Sequence, residues 1–155
     1  MEWQESKYGQ KAMQLFKEGY NCSQAVFLAF EDLFNMEREV MLRLSSSFGG
    51  GMGRLREVCG AVSGMFMVAG VLYGYDDPKD YDKKTEHYAR IQLLAKEFEA
   101  LNGSIVCREL LGLAPKKSSL DMGNPEPEKR TEEYYKKRPC AELVAMAASF
   151  LEKEL

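Results

Sequence analysis

Val58-Cys59-Gly60-Ala61-Val62-Ser63-Gly64-Met65-Phe66-Met67-Val68-Ala69-Gly70-Val71-Leu72-Tyr73-Gly74-Tyr75 runs for 18 residues without a charge. Its reading decides the fold. That length touches the lower limit for a transmembrane helix. Gly60, Gly64, Gly70 and Gly74 dilute the stretch, however, and Ser63 and Cys59 add little hydrophobicity. It therefore reads as a helix buried inside a bundle, with no membrane span expected.

The flanking sequence supplies that bundle. Almost every segment has helical period, and none shows sustained strand alternation. Upstream, Tyr8, Ala12, Leu15 and Phe16 make an apolar stripe that Gly19 can stop. Asn21 can cap a second helix that turns Val26, Ala29, Phe30, Leu33 and Phe34 inward. A shorter helix over Glu37 to Ser45 places Val40, Met41 and Leu44 on one side. Ser45-Ser46-Ser47-Phe48-Gly49-Gly50-Gly51-Met52-Gly53 is a loop by composition.

Downstream, Asp76-Asp77-Pro78 marks a turn and a restart. A long amphipathic helix follows, with Ile91, Leu94, Ala95, Phe98 and Leu101 as its face and Asn102-Gly103 as its end. Ser104 can cap a short helix through Leu111, which puts Cys107 at the third helical position. Lys116 to Pro139 is polar and carries most of the prolines, so it is either mobile or a lid. A last helix from Pro139 buries Leu143, Val144, Ala147, Phe150 and Leu151. The expectation is an all-α fold, a single domain over residues 1–155. It is a bundle of about six or seven helices with a glycine-rich loop and a polar C-terminal linker.

Bulk properties exclude several classes. The chain of 155 residues is long enough for one real core. Its 45% hydrophobic and 29% charged content is that of an ordinary soluble globule. A net charge of −3 argues against nucleic acid as a partner. Met1-Glu2-Trp3-Gln4-Glu5 lacks the apolar core of a secretory signal, so a cytoplasmic location is expected. In a reducing compartment, cysteines serve as metal ligands or redox thiols more readily than as structural staples.

Four cysteines are present, Cys22, Cys59, Cys107 and Cys140, spaced C-x36-C-x47-C-x32-C. Close C-x2-4-C pairs and the C-x-x-C-H haem attachment motif are both missing. Any joint site must then be assembled by the fold. Each cysteine falls near a predicted helix start, where unpaired N–H groups and the macrodipole favour a thiolate. Gly60 and Gly64 lie four apart on one helix face. They admit a neighbouring backbone or a cofactor close to Cys59.

The remaining motifs are weaker. The glycine loop is neither a Walker A motif nor GxGxxG in a strand–turn–helix setting, and serves as a tight passage of backbone past the thiol site. Arg54 and Arg56 are placed to favour the Cys59 thiolate. His87 is the one histidine and reads as a boundary residue of its helix. The nine methionines are dispersed core filling. Tyr134-Tyr135-Lys136-Lys137-Arg138 reads as a wet helix face or lid.

At Cys59-Gly60-Ala61-x-x-Gly64 the chain resembles the C_GCAxxG_C_C family of redox-active proteins. The likeness also covers Gly19-Tyr20-Asn21-Cys22-Ser23-Gln24-Ala25-Val26 and the Phe48-Gly49-Gly50-Gly51 loop. It continues through Cys107 before Leu110-Leu111-Gly112, and Arg138-Pro139-Cys140-Ala141-Glu142-Leu143-Val144. One departure is visible: this sequence has CGA where the family pattern has GCA. The resemblance implies a helical, redox-active protein, and similarity to the split-Soret cytochrome c type leaves open a homodimer and a cysteine-held iron–sulfur cluster. Haem does not carry over, because the attachment motif is absent.

Three functions follow from these readings. In the first, Cys59, Cys22, Cys107 and Cys140 are catalytic thiols cycling with a redox partner, with Cys59 as the attacking thiolate and Gly60 and Gly64 admitting the cofactor or partner. In the second, the four thiolates hold an iron–sulfur cluster or zinc. In the third, the domain is a structural or adaptor bundle with inert buried cysteines.

Overall fold

The computed structural model describes residues 2–118 and 122–155. Ser6 opens the first helix, its Oγ accepting from the Gly9 N–H at 2.8 Å. Helix α1 (Lys7–Lys17) turns Tyr8, Ala12, Leu15 and Phe16 inward. Asn21 starts α2 (Cys22–Ala29) through a reciprocal capping box with Gln24, which satisfies two donors that the helix start leaves unpaired. Helix α2 is the central element. It packs against α1, against α3 (Arg38–Ser46), against α4 (Gly60–Tyr73) and against α8 (Cys140–Glu152).

Two expectations about this half are corrected. Helix α2 stops at Phe30, and a 3-10 turn over Glu31–Leu33 leaves Leu33 exposed and Phe34 in extended backbone. On α3 only Met41 of the expected apolar side is buried, while Val40 and Leu44 face outward. In both places short apolar runs carry too little periodicity to separate core from surface.

The uncharged stretch becomes α4, buried at Gly60–Met65, Val68 and Ala69. Among the described residues, no helix is long and apolar enough to cross a membrane. Helix α5 (Tyr81–Asn102) starts on the Asp80 cap and ends at Gly103, φ +88. It docks on α4 and α8 through Leu94 and Phe98, with Leu101 exposed.

Helix α6 (Cys107–Leu110) and helix α7 (Glu132–Lys137) are short. A lone antiparallel bridge between Val58 and Val106 ties the approach to α4 to the approach to α6. Helix α8 closes the bundle over α1, α2 and α4. Glu152 near its end accepts from Ser6 Oγ at 3.0 Å and from the Tyr8 N–H at 2.7 Å, clamping the two ends of the chain together. The architecture is all-α, with eight helices among the described residues.

Candidate functional site

Three of the four cysteines are the first residue of a helix: Cys22 of α2, Cys107 of α6 and Cys140 of α8. Cys59 sits one step earlier, as the N-cap of α4. Cys107 is therefore at the first helical position and not the third. The Ser104 hydroxyl accepts from the Val106 N–H at 2.9 Å and donates to Glu109, so it shapes the turn and Val106 becomes the N-cap.

Close backbone approach makes the cysteines neighbours. A Cβ on Gly64 would lie 2.8 Å from the Ser23 carbonyl oxygen and 2.9 Å from Val26 Cβ. One on Gly60 would lie 2.9 Å from Cys22 Cβ. Both glycines therefore admit α2 against α4. The glycine loop does the same for α6. Gly50, Gly51, Met52, Gly53 and Arg54 all have φ between +62° and +74°, and Arg56 follows at +62°. A Cβ on Gly51 would fall 2.6 Å from Cys107 Cβ. Left-handed backbone costs a side-chain-bearing residue about 1–2 kcal/mol, and Met52, Arg54 and Arg56 all adopt it.

The result is a cavity of about 280 Å³ lined by Cys22, Cys59, Cys107 and Cys140 together. Cys59, Cys107 and Cys140 are buried, Cys22 is half-buried, and all four are free thiols. Their electrostatics differ. Cys140 is lowered to about 7, first by a hydrogen bond from the Cys22 thiol and then, against its own burial, by Arg138, Arg130 and the Tyr134 hydroxyl. Cys22 is held well above the ordinary thiol value, first by its interaction with Cys140 and then by desolvation of its sulfur.

Burial pushes Cys59 up to about 12, although the Ala61 and Val62 N–H groups bond to it. Cys107 is also raised by burial, although Arg56 Nη1 donates to its Sγ at 3.6 Å. Of the four thiols, only Cys140 is shifted toward the anionic form, while Cys59, expected from the sequence as the attacking thiolate, is shifted away from it.

The polar segment is a lid over this cavity. Pro125, Pro127, Glu128, Arg130, Tyr134 and Arg138 all face into it. Residues 119–121 of the polar stretch lie outside the described residues. Arg130 fastens the lid, donating to the Phe16 carbonyl at 2.7 Å and the Tyr20 carbonyl at 3.0 Å, with its guanidinium 4.0 Å from the Phe16 ring centroid. Arg138 is paired with Glu128. Sequence reasoning missed Arg130 altogether. Tyr134 and Arg138, four apart on one helical face, carried a signal that the wet-face reading passed over.

Among the described residues, no group of three or more Cys, His, Asp or Glu side chains is arranged to hold a metal ion. The four sulfurs share a cavity without forming a ready-made site for zinc or a cluster. His87 stands apart on α5, its ring edge-on to Tyr75 at 6.2 Å, in keeping with a boundary role. Residues 20–154 match the family model described as "Putative redox-active protein (C_GCAxxG_C_C)". No curated protein and no solved structure matches the chain.

Proposed function

The chain belongs to the C_GCAxxG_C_C family, and from that premise we propose that it performs thiol–disulfide exchange, with Cys140 as the attacking thiolate and Cys22 as the resolving thiol. One observation carries this reading. Cys22 and Cys140, the first residues of α2 and α8, line the same cavity beside Arg130, Arg138 and Tyr134, and each shifts the other's acidity, in opposite directions. The thiolate is the attacking form of cysteine, and a value near ambient pH gives the best compromise between thiolate fraction and nucleophilicity.

The exchange proceeds in two displacements. Cys140 Sγ attacks one sulfur of a disulfide, forming a mixed disulfide and expelling the other half as a thiolate. That step removes the negative charge to which Cys22 was donating, and with it the main cause of the raised Cys22 value. Cys22 then gives its proton to the departing thiolate and attacks Cys140 Sγ. The second half leaves as a thiolate, and a Cys22–Cys140 disulfide remains. Two electrons pass from the protein to the substrate, and a dithiol reductant returns them. Cys59 and Cys107 remain protonated at neutral pH.

Diamide oxidation followed by peptide mapping tests this. The first disulfide formed is expected between Cys22 and Cys140. Cys22→Ser is expected to trap the mixed disulfide at Cys140. Equal and slow alkylation of all four thiols before and after oxidation would overturn the reading, as would a first disulfide elsewhere.

A further inference from the structure

Five charged residues line the thiol cavity, and four of them are arginines: Arg54, Arg56, Arg130 and Arg138 face the single carboxylate of Glu128. This is the opposite of the protein as a whole, which is net −3. Glu128 is committed to Arg138. Among the described residues no carboxylate pairs with Arg54, Arg56 or Arg130. Arg54 is the clearest case, since its Nε is buried without a hydrogen-bond partner. A buried donor left unpaired costs about 1–3 kcal/mol, and the left-handed backbone of Arg54 and Arg56 adds to the cost of holding them there. The Cys140 thiolate answers only part of this positive charge.

The rest of the lining sets the size and character of what enters. Phe16, Leu110, Leu111 and Leu143 supply apolar walls. A volume of about 280 Å³ lies at the small end of sites for low-molecular-weight ligands. A cavity with apolar walls, an excess of guanidinium charge, an unpartnered Arg54 donor and a nucleophilic sulfur suits a small molecule that brings anionic groups on a short carbon chain. Guanidinium binds carboxylates bidentately, and a positive cleft raises the local concentration of anions.

We propose that Arg54 and Arg56 form an anion-binding subsite, to which Arg130 and Arg138 add positive charge from the lid, and that the substrate is a small disulfide carrying carboxylates at its ends. This inference rests on the exchange chemistry of Cys140 and Cys22. The arginines hold the carboxylates while Cys140 Sγ attacks the near sulfur. The far half leaves as a thiolate-carboxylate, Cys22 displaces the near half, and each half departs with one of the two electrons donated by the cysteines.

The test uses three disulfides of similar length and different charge: 3,3′-dithiodipropionate, 2-hydroxyethyl disulfide and cystamine. Their rates with the reduced full chain are compared at low salt with those of a free alkanethiol. Free thiolates favour the cationic reagent. The protein is expected to reverse that order, with the dianion reacting about tenfold or more faster than cystamine, and with added salt narrowing the gap. Arg54→Gln and Arg56→Gln are each expected to lower the dianion-to-neutral rate ratio about threefold or more, while Lys136→Gln, on the exposed side of α7, leaves the ratio unchanged.

Octanedioate, the sulfur-free analogue, is expected to protect Cys140 from iodoacetamide where 1,8-octanediol does not. If the protein follows the order of the free thiol, the anion subsite is overturned and the exchange reading stands. If none of the three disulfides outpaces the free thiol, corrected for thiolate fraction, while octanedioate still protects, the exchange reading fails and the subsite stands as a binding site alone.

Discussion

At Cys140 the forces on a thiol oppose each other, and the balance is local. Burial penalises the anion, yet donation from Cys22, the cations Arg138 and Arg130, and the Tyr134 hydroxyl together bring the thiol to about 7. Cys59 is more deeply buried, with fewer offsets, and is pushed up to about 12. The sign for folding follows. The contribution of Cys140 is fully present above the ordinary thiol value and is lost as pH falls through about 7. That of Cys59 is present at neutral pH and is lost as pH rises toward about 12.

Iodoacetamide should therefore label one fast cysteine, Cys140, with a midpoint near 7. Arg138→Gln should move that midpoint up by about one unit, equivalent to about 1.4 kcal/mol. A midpoint at the ordinary thiol value, measured by mass spectrometry across pH, would remove Cys140 from the role. Sequence alone placed every thiol near a helix start, where the backbone favours the anion. It could not weigh burial against that field, and so nominated Cys59.

The elements explain why these starts meet. The helix starts at Cys22 and Cys140 were legible because Asn21 and Pro139 punctuate the chain with specific backbone chemistry, whereas the start at Cys107 was expected two residues too early. The family pattern adds a subtler signal. Aligned on Ala61-x-x-Gly64, its cysteine falls at position 60, the first helical residue, which matches the place of Cys22, Cys107 and Cys140 in their own helices. This chain has glycine there and its thiol one step earlier. The handedness of the glycine loop was less legible, since three glycines predict freedom without direction, and Met52, Arg54 and Arg56 give no sequence signal for positive φ.

Two glycines of similar appearance test this geometry from opposite sides. Gly51→Ala must hold a Cβ at φ +74 and 2.6 Å from Cys107 Cβ, and should destabilise by about 2–4 kcal/mol, from left-handed strain plus overpacking. Gly70→Ala lies in α4 with nothing within 4 Å of the added atom, and should stabilise by about 0.5–1 kcal/mol. Urea unfolding compares the two, and equal effects would mean the loop does not pass Cys107 as described.

On the scale of the whole molecule, the site is made by chain ends and a distant segment folding onto one core. Helices α1 and α8 lie side by side, Glu152 ties back to Ser6 and Tyr8 at one end, and the lid is fastened over the cavity at the other end of α1. Long-range placement of this kind leaves no local periodicity to read, which is why the lid was foreseen only as one of two fates for a polar stretch. Arg130 does the fastening. Its two carbonyl acceptors, Phe16 and Tyr20, flank the end of α1, more than 100 residues away in sequence.

Arg130→Ala removes both bonds and the stacking on Phe16, and should cost about 1–3 kcal/mol. Arg130→Lys should not restore it, because one ammonium cannot span two carbonyls and also stack. Hydrogen exchange should show residues 125–138 losing protection in both variants while α2 and α8 keep theirs. The buried thiols should become more accessible to a bulky maleimide at the same time. Unchanged protection over 125–138 would mean that the lid is held by its own packing, with Arg130 acting on Cys140 through charge alone.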